Sequence, residues 1–247
     1  MISDIIGNNQ FYFSSLYSTN NWLLDMLKTA ELPNGLIVSA GFQESGRGMV
    51  NTVWESERNQ NVLLSLLLKN LPIDVSDQFV LNKAVAIGVL NYLKSVGIAA
   101  EIKWPNDIVV NHNKIAGTLI QNTLIGKRIK NTVVGIGLNV NQTFFSDFKR
   151  KATSIGLEKE NTSNLQLTIN NMLPFIAYQF DHLRVGRKNL DKNYLDNLYL
   201  SNLKRPYLFN GEKIEAVIKG VTPEGKLKLL SNSNRLILAD LKAIEFL

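Results

Sequence analysis

Two long segments with helical spacing of apolar residues, Phe79–Val96 and Leu165–Leu183, constrain this fold most, because a series of strand patterns lies between them. Gly97 follows the first segment and is the residue type that commonly ends a helix. The intervening strands are predicted at Ala100–Trp104, Asp107–Val110, Ile115–Asn122 and Thr132–Val140, the middle two forming a hairpin across the polar turn Asn111–Asn113. Strands that include a hairpin, with helices around them, predict an α+β fold in which helices pack on a mixed β-sheet.

A shorter helix and two buried strands precede this region. The segment Thr19–Lys28 is predicted to be helical, with an N-cap from Ser18, Thr19 or Asn20. Leu36–Gln43 and Val62–Leu68 read as buried strands.

The C-terminal part of the chain has a different pattern. Lys213–Val221, Lys226–Leu230 and Arg235–Phe246 alternate apolar and polar residues, and turn residues separate them. This alternation predicts a small all-β module that packs on the main domain because its own core is small. We place the boundary near Ser201–Arg205, which gives domains 1–200 and 201–247.

The composition excludes several kinds of chemistry. The 247 residues contain no Cys, so disulfides, zinc–thiolate sites and thiol nucleophiles are ruled out. The net charge is 27 − 21 = +6 and the pI is about 9.4. The basic residues are scattered, with the densest cluster at 149–151, so solvated surface lysines explain the charge better than a nucleic-acid stripe. With neither a secretory signal nor an apolar segment of membrane-spanning length, we expect a soluble cytoplasmic protein.

Four segments carry candidate chemistry, and the first is the loop Gln43–Gly48. Its two glycines let backbone N–H groups approach a ligand, and Arg47 between them suits a carboxylate or a phosphate. The loop lacks the Gly-Lys-Ser/Thr of a P-loop and no helix start follows it, which excludes the dinucleotide fingerprint. A plain turn explains the same residues equally well.

The second and third segments, Lys103–Asp107 and Lys114–Gly117, lie on the predicted hairpin and the strand before it. Asn106 and Asp107 after a strand can hold a hydrated magnesium ion and a phosphate oxygen, although an ordinary Asx turn fits as well. The hairpin can return Lys114 to this end, where its charge would stabilise a reacting carboxylate and phosphate. The alternative is a solvated hairpin lysine.

The fourth segment, Gly135–Asn141, has glycines at alternate positions of a strand. One face of that strand is therefore bare, and either a flat ring or another backbone can pack there. Asn139 shares this face and can bond a ligand or a metal-bound water. His112 and His182 lack metal-ligand spacing, so a histidine metal site is not expected.

Taken in this order, these segments resemble the biotin–protein ligase family, also called holocarboxylase synthetase. The matching signatures are Ser18-Thr19-Asn20, Gln43, Gly46-Arg47-Gly48, Lys103-Trp104-Pro105-Asn106-Asp107, Lys114-Ile115-Ala116-Gly117, Gly137-x-Asn139 and Ala152-Thr153-Ser154. The resemblance spans nearly the whole chain. It implies a class II synthetase-like catalytic domain followed by an SH3-like β-barrel.

The resemblance implies a two-step reaction that needs biotin, ATP and Mg²⁺. Biotin is converted to biotinyl-AMP and then passed to a lysine of a biotin carboxyl carrier domain. The implied catalytic residues are Lys114, Arg47 and Asp107, with Asp107 also contacting the metal. Biotin binding is implied for Ser18, Thr19, Asn20, Gln43, Gly46, Arg47, Gly48, Met49, Lys114, Gly117 and Gly137. ATP binding is implied for Arg47, Trp54, Lys103, Asn106, Asp107, Lys114 and Asn139.

The chain departs from the family in the loop that continues as Met49–Val53, where the family often has a third glycine and further arginines. With fewer cations in the loop, we expect either faster escape of the adenylate or a loop that orders differently. Because the Ser-Thr-Asn signature begins at Ser18, we expect no DNA-binding domain before it and no DNA partner. An edge strand of the sheet can pair with a second copy of the chain, so the sequence does not decide between a monomer and a homodimer. The rival interpretations are a lipoate–protein ligase, a nucleic-acid-binding protein and a non-catalytic relative.

Overall fold

The computed structural model describes residues 1–49, 52–146, 151–183 and 187–247. Its helices are α1 Thr19–Thr29, α2 Phe79–Ser95, α3 Ile155–Lys159, α4 Leu165–Asp181 and α5 Arg187–Asp196. The strands of the larger sheet are β1 Gln10–Phe13, β2 Ile37–Ala40, β3 Asn61–Lys69, β4 Glu101–Lys103, β5 Asp107–Val110, β6 Asn113–Ile125 and β7 Arg128–Asn139. Those of the smaller sheet are β8 Lys204–Phe209, β9 Glu212–Val221, β10 Leu227–Ser231, β11 Leu236–Ala239 and β12 Ile244–Phe246.

The larger sheet has the strand order β1-β2-β3-β7-β6-β5-β4. The β1–β2 pair is parallel and the other pairs are antiparallel, so the predicted mixed sheet is confirmed. The predicted hairpin is also confirmed, with β5 and β6 paired across the positive-φ residues Asn111 and His112. In this register, Gly117 of β6 lies opposite both Asp107 of β5 and Gly137 of β7.

The two faces of the larger sheet are covered differently. Leu64, Leu66 and Leu68 of β3 belong to the main core that contains α2 and α4. Leu67 of the same strand packs in a small cluster with Leu23 of α1. Side chains alternate along a strand, so successive residues of β3 face the main core and α1 in turn. The α1 face is the one on which the candidate site lies.

Helix α1 begins where the sequence predicts. Ser18 is its N-cap, and the Ser18 hydroxyl accepts a hydrogen bond from the backbone N–H of Asn21 at 3.4 Å. A serine at this position satisfies one of the backbone donors that every helix start leaves open. The cap fixes Ser18, Thr19 and Asn20 at the helix end nearest the middle of the sheet.

The smaller sheet is antiparallel throughout, with the order β11-β10-β9-β8-β12. It shares one hydrophobic core with the rest of the chain, since its buried residues join the cluster that contains α2. Trp104 donates a hydrogen bond from Nε1 to the carbonyl of Gly225 at 2.9 Å, which ties the two sheets together. The smaller sheet starts at Lys204; the division into domains 1–200 and 201–247 stays a prediction.

Several elements differ from the sequence prediction. The strand expected at Arg235–Phe246 is wrong as one element, because a 3₁₀ turn at Leu241–Ala243 separates β11 from β12. The strand expected at Leu36–Gln43 ends at Ala40. Strands β1 and β8 and helices α3 and α5 were not predicted, because their exposed faces weaken the periodic pattern. Within the described parts of the chain, we found no helix of the length and apolarity that crossing a bilayer requires.

Candidate active site

A cavity lies over the glycine-lined face of β6 and β7, between the start of α1 and the loop after β2. It is lined by Ser18, Thr19, Asn20, Gln43, Arg47, Gly48, Trp54, Leu64, Asn106, Lys114, Gly117, Thr118, Leu119, Gly135, Ile136 and Gly137. Eleven of these residues were predicted as site residues from the sequence. The predicted residues that do not line it are Gly46, Met49, Lys103, Asp107 and Asn139.

Gln43 is held by the start of α1. Its Oε1 accepts hydrogen bonds from the backbone N–H of Thr19 at 2.7 Å and lies 3.0 Å from the Thr19 hydroxyl. This fixes the side-chain amide, because the backbone N–H can only face an acceptor. The Gln43 amide nitrogen therefore points the other way, towards Gly46, where a Cβ would stand 3.4 Å from it.

The Gly-Arg-Gly loop folds back on itself. The backbone N–H of Trp54 donates to the carbonyl of Gly46 at 2.9 Å, and that of Gly48 donates to the carbonyl of Thr52 at 2.7 Å. Arg47 is exposed beside Tyr17, and hydrogen bonds from Ser45 and then Arg47 lower the pKa of Tyr17 below its ordinary value. Val50 and Asn51 of the altered loop lie outside the described residues.

Lys114 and Asp107 form an ion pair at the base of the cavity. Lys114 Nζ lies 2.7 Å from Asp107 Oδ1, and the Asp107 side chain is only 7% exposed. The hairpin therefore returns the lysine to the Asn-Asp end, as the spacing predicted. Lys114 Nζ also lies 5.1 Å from the centre of the Trp54 ring, within range of a cation–π contact.

The flat ring on the bare strand face belongs to Trp54. A Cβ on Gly137 would stand 2.4 Å from Trp54 Cε2, and one on Gly117 would stand 3.0 Å from Trp54 Cζ3. The cavity volume that remains is about 40 Å³. Sites for small molecules usually have volumes of about 300 Å³ or more. A ligand of that size therefore requires the Trp54 side chain to move.

Comparison with known proteins identifies the family. The model of the biotin/lipoate A/B protein ligase family matches residues 12–139, just over half of the chain. This chain belongs to that family.

Individual relatives and structures agree with the biotin/lipoate A/B protein ligase family. The chain is 34% identical over 157 residues to the bifunctional ligase/repressor BirA of Bacillus subtilis, which covers 62% of this chain and 48% of that protein. It thus spans about half the length of the curated relatives it matches. The fold is similar to that of the Aquifex aeolicus biotin protein ligase in complex with biotin and ATP, with a TM-score of 0.78 and 21% identity over 96% of this chain and 98% of that one. It is also similar to the Leishmania major biotin protein ligase in complex with biotinyl-5-AMP, with a TM-score of 0.63 and 22% identity over 94% and 99% of the two chains.

The Lys-Trp-Pro-Asn-Asp signature contributes residues to three different places in this member of the biotin/lipoate A/B protein ligase family. Asn106 lines the cavity and donates from Nδ2 to the carbonyl of Thr118 at 2.5 Å. Trp104 is 4% exposed and joins the two sheets. Lys103 lies over the rings of Tyr199 and Phe246, away from the cavity. The ATP-binding role predicted for Lys103 has no support from this position and stays a prediction.

Asn139 is buried behind the cavity rather than in it. Its side-chain amide donates to the carbonyls of Thr153 at 2.9 Å and Lys114 at 3.4 Å. These bonds hold the Ala-Thr-Ser segment against β6, next to Lys114. Its predicted contact with ATP or a metal-bound water stays untested, and its observed bonds support a role in holding Lys114 in place.

Sequence reasoning missed Ser65 and Gln121, which support the cavity from below. Ser65 is fully buried on β3 and contacts Thr19 and Asn20. Gln121 of β6 accepts a hydrogen bond from Asn20 at 2.9 Å. The signal for Ser65 was present, since it is the one polar residue in the apolar run Val62–Leu68.

Proposed function

We propose that this chain makes biotinyl-AMP from biotin and ATP and then transfers biotin to a lysine of a biotin carboxyl carrier domain. One observation carries this proposal. The Lys114–Asp107 pair and Arg47 place two cationic side chains at a small cavity whose floor is a glycine face covered by the Trp54 ring. A flat bicyclic ring suits that floor, and two cations suit the charge that gathers where a carboxylate meets a phosphate.

In the first step, a carboxylate oxygen of biotin attacks the α-phosphorus of ATP, and pyrophosphate leaves with the electron pair of the broken bond. Lys114 and Arg47 offset the negative charge of the two approaching groups. The Asp107 carboxylate holds Lys114 Nζ at 2.7 Å, and Asn139 fixes the backbone on which Lys114 stands.

In the second step, the neutral amine of the acceptor lysine attacks the carbonyl carbon of the mixed anhydride. An amide bond forms, AMP leaves, and the amine releases a proton. Arg47 and Lys114 stabilise the negative charge on the departing phosphate. Neither step requires a covalent bond to the enzyme, which is consistent with a chain that has no Cys. Most of the catalysis then comes from positioning and electrostatics.

Magnesium enters this scheme with ATP. Within the described residues, no group of three or more His, Asp or Glu side chains could hold a metal ion. A single carboxylate fits Mg²⁺ only when phosphate oxygens and water supply the other ligands. Asp107 is that carboxylate in our proposal, so we expect the ion to bind as part of Mg–ATP.

The partners follow from this chemistry. The acceptor is a carrier domain with an exposed lysine, and the reaction takes place in the cytoplasm, where ATP is available. We retain the prediction that the chain does not bind DNA. Strands β1 and β4 lie at the edges of the larger sheet and can pair with a second copy of the chain. Sedimentation of the protein alone would distinguish a monomer from a homodimer.

Turnover with three substrates tests the proposed function. With labelled ATP, we expect pyrophosphate release in the presence of biotin, and none with lipoate or with ATP alone. Release with lipoate only would make this chain a lipoate–protein ligase. The absence of release with both acids would identify a non-catalytic relative.

The altered loop predicts a second measurable property. The loop has no charged residue between Arg47 and Trp54. It therefore has fewer cations to retain an acyl adenylate than an arginine-rich loop has. We expect biotinyl-AMP to leave this protein several-fold faster than it leaves a relative with an arginine-rich loop, both measured without acceptor. Substituting Met49→Arg should slow the release. Equal release from the two wild-type proteins would contradict the prediction.

A further inference from the structure

The smaller sheet contacts the Lys-Trp-Pro-Asn-Asp segment although it does not line the cavity. Among the residues that the structure describes, those that line the cavity all lie between Ser18 and Gly137, so β8 to β12 supply no group to it. Trp104, however, stands two residues before Asn106, and its Nε1 donates a hydrogen bond to the carbonyl of Gly225 at 2.9 Å. Gly225 belongs to the turn between β9 and β10.

The β9–β10 turn holds the Gly225 carbonyl in a fixed place. The backbone N–H of Gly225 donates to the carbonyl of Thr222 at 3.0 Å, and that of Thr222 donates to the carbonyl of Lys226 at 2.9 Å. Thr222 is buried, and its hydroxyl accepts a bond from the backbone N–H of Lys226 at 3.1 Å. A Cβ on Gly225 would stand 2.7 Å from Cδ2 of Phe79, at the start of α2. The turn is therefore closed on itself and packed against the main core.

Trp104 depends on this acceptor. Its side chain is buried in the same core cluster as Phe79. An indole N–H can only donate, and a buried donor without a partner costs free energy. The hydrogen bond to Gly225 therefore ties the chain at Trp104 to the smaller sheet.

The residues that follow Trp104 are held on their other side by β6. Asn106 Nδ2 donates to the carbonyl of Thr118 at 2.5 Å, and the backbone N–H of Thr118 donates to the carbonyl of Asn106 at 2.9 Å. Asp107 Oδ1 lies 2.7 Å from Lys114 Nζ. A shift of the chain at Trp104 would therefore move Asn106 and Asp107 relative to the strand that carries Lys114.

We propose that Trp104 and Gly225 are positioning residues for the nucleotide site. Through their hydrogen bond, the smaller sheet sets the place of Asn106 and Asp107, which contact Mg–ATP in the proposed reaction. The smaller sheet thereby contributes to adenylation without lining the cavity. The inference rests on the proposed function for the identity of the nucleotide. The side of the cavity formed by α1 lies outside these contacts, so biotin binding without ATP should not depend on them.

The first experiment compares Gly225→Ala with the matched control Gly211→Ala. Both glycines lie in hairpin turns of the smaller sheet at positive φ, +101° and +83°, so alanine is strained at both. A Cβ on Gly211 would have nothing within 4 Å, whereas one on Gly225 meets the Phe79 ring and displaces the turn.

For Gly225→Ala, we expect the KM for ATP to rise and the rate of pyrophosphate release to fall. Each change should be roughly three- to tenfold, the range that loss of one hydrogen bond gives. The Kd for biotin, measured by calorimetry without ATP, should stay at the wild-type value. Gly211→Ala should give wild-type values in all three measurements.

The second experiment removes the donor instead of moving the acceptor. Trp104→Phe should raise the KM for ATP by a similar factor, and Trp22→Phe, between the rings of Phe11 and Phe13, is the control for loss of an indole. If both variants act through one hydrogen bond, adding Gly225→Ala to Trp104→Phe should raise the KM for ATP much less than it does in the wild type. Equal effects in the two backgrounds would overturn the inference, as would a lowered Tm of Gly225→Ala with an unchanged KM for ATP.

The indole N–H signal in an NMR spectrum reports the hydrogen bond directly. The chain has three tryptophans, and the signal that disappears in Trp104→Phe is that of Trp104. We expect this signal to shift and to exchange with solvent faster in Gly225→Ala but not in Gly211→Ala. An unchanged Trp104 signal together with a raised KM for ATP would overturn the inference, because the effect would not run through this bond.

Calorimetry separates the inference from the proposed function. The ligand is an ATP analogue with a methylene bridge between its α- and β-phosphates, which cannot release pyrophosphate, in the presence of biotin. Weaker binding of this analogue to Gly225→Ala than to Gly211→Ala would support the inference even if the wild type released no pyrophosphate from ATP. Failure of the wild type to bind the analogue would overturn both.

Discussion

Replacing Lys114 by Ala should lower the rate of biotinyl-AMP formation by about 100-fold or more, the usual loss when an oriented charge-stabilising donor is removed. Lys114 Nζ stands at the cavity, fixed by Asp107 at 2.7 Å and by the Trp54 ring at 5.1 Å. A preorganised cation of this kind needs no rearrangement as negative charge develops during the attack on ATP. Pyrophosphate release at saturating biotin and ATP measures the effect.

Loss of the lysine also removes the cation beside Asp107, a residue only 5% exposed, so a fall in stability has to be separated from a fall in rate. The double variant Lys114→Ala with Asp107→Asn removes the buried negative charge as well. We expect it to recover much of the thermal stability and none of the activity. Lys192→Ala, in an exposed ion pair with Asp196, is the matched control and should retain wild-type activity. Retention of the wild-type rate by Lys114→Ala would refute the assigned role.

The parts of the fold with strong periodicity were predictable. Helices α2 and α4 and strands β3, β5 and β7 bury long apolar patterns, and these patterns fix both the type and the place of each element. The amphipathic signal of α5 is weak, since only Leu190 and Tyr194 are buried. Tertiary packing, which the local sequence does not encode, decides whether such a segment is helical.

The candidate site was predictable where local geometry alone brings residues together. The N-cap of α1 fixes Ser18, Thr19 and Asn20, and the β5–β6 register returns Lys114 to Asp107. The position of Lys103 outside the cavity was not predictable, because the direction of its side chain depends on Tyr199 and Phe246, which are distant in sequence. The position of the Trp54 ring on the glycine face was likewise not predictable. The alternating glycines of a strand show that space exists on one face, but they do not show which side chain fills it.

The glycine face yields the other large expected effect. A side chain at Gly137 would enter the space of the Trp54 ring, since a Cβ would lie 2.4 Å from Trp54 Cε2. Gly137→Val should leave the fold intact, because valine favours strands and the loop that carries Trp54 can shift. Overpacking typically costs about 1 to 3 kcal/mol. If a ligand ring needs the same space, kcat/KM for biotin should fall by up to about 100-fold.

Two comparisons determine whether the floor or the covering ring causes that loss. Trp54→Ala removes the ring but leaves the floor bare, so we expect it to lower kcat/KM for biotin less than Gly137→Val does. Adding Trp54→Ala to Gly137→Val relieves the clash between side chains but not the occupied floor, and activity should stay low. Leu138→Ile changes the next residue of β7, which is fully buried in the main core on the opposite face, and should retain activity. Wild-type kcat/KM for biotin in Gly137→Val would show that the substrate does not use the glycine face, because no ligand ring can lie on a strand surface that valine already covers.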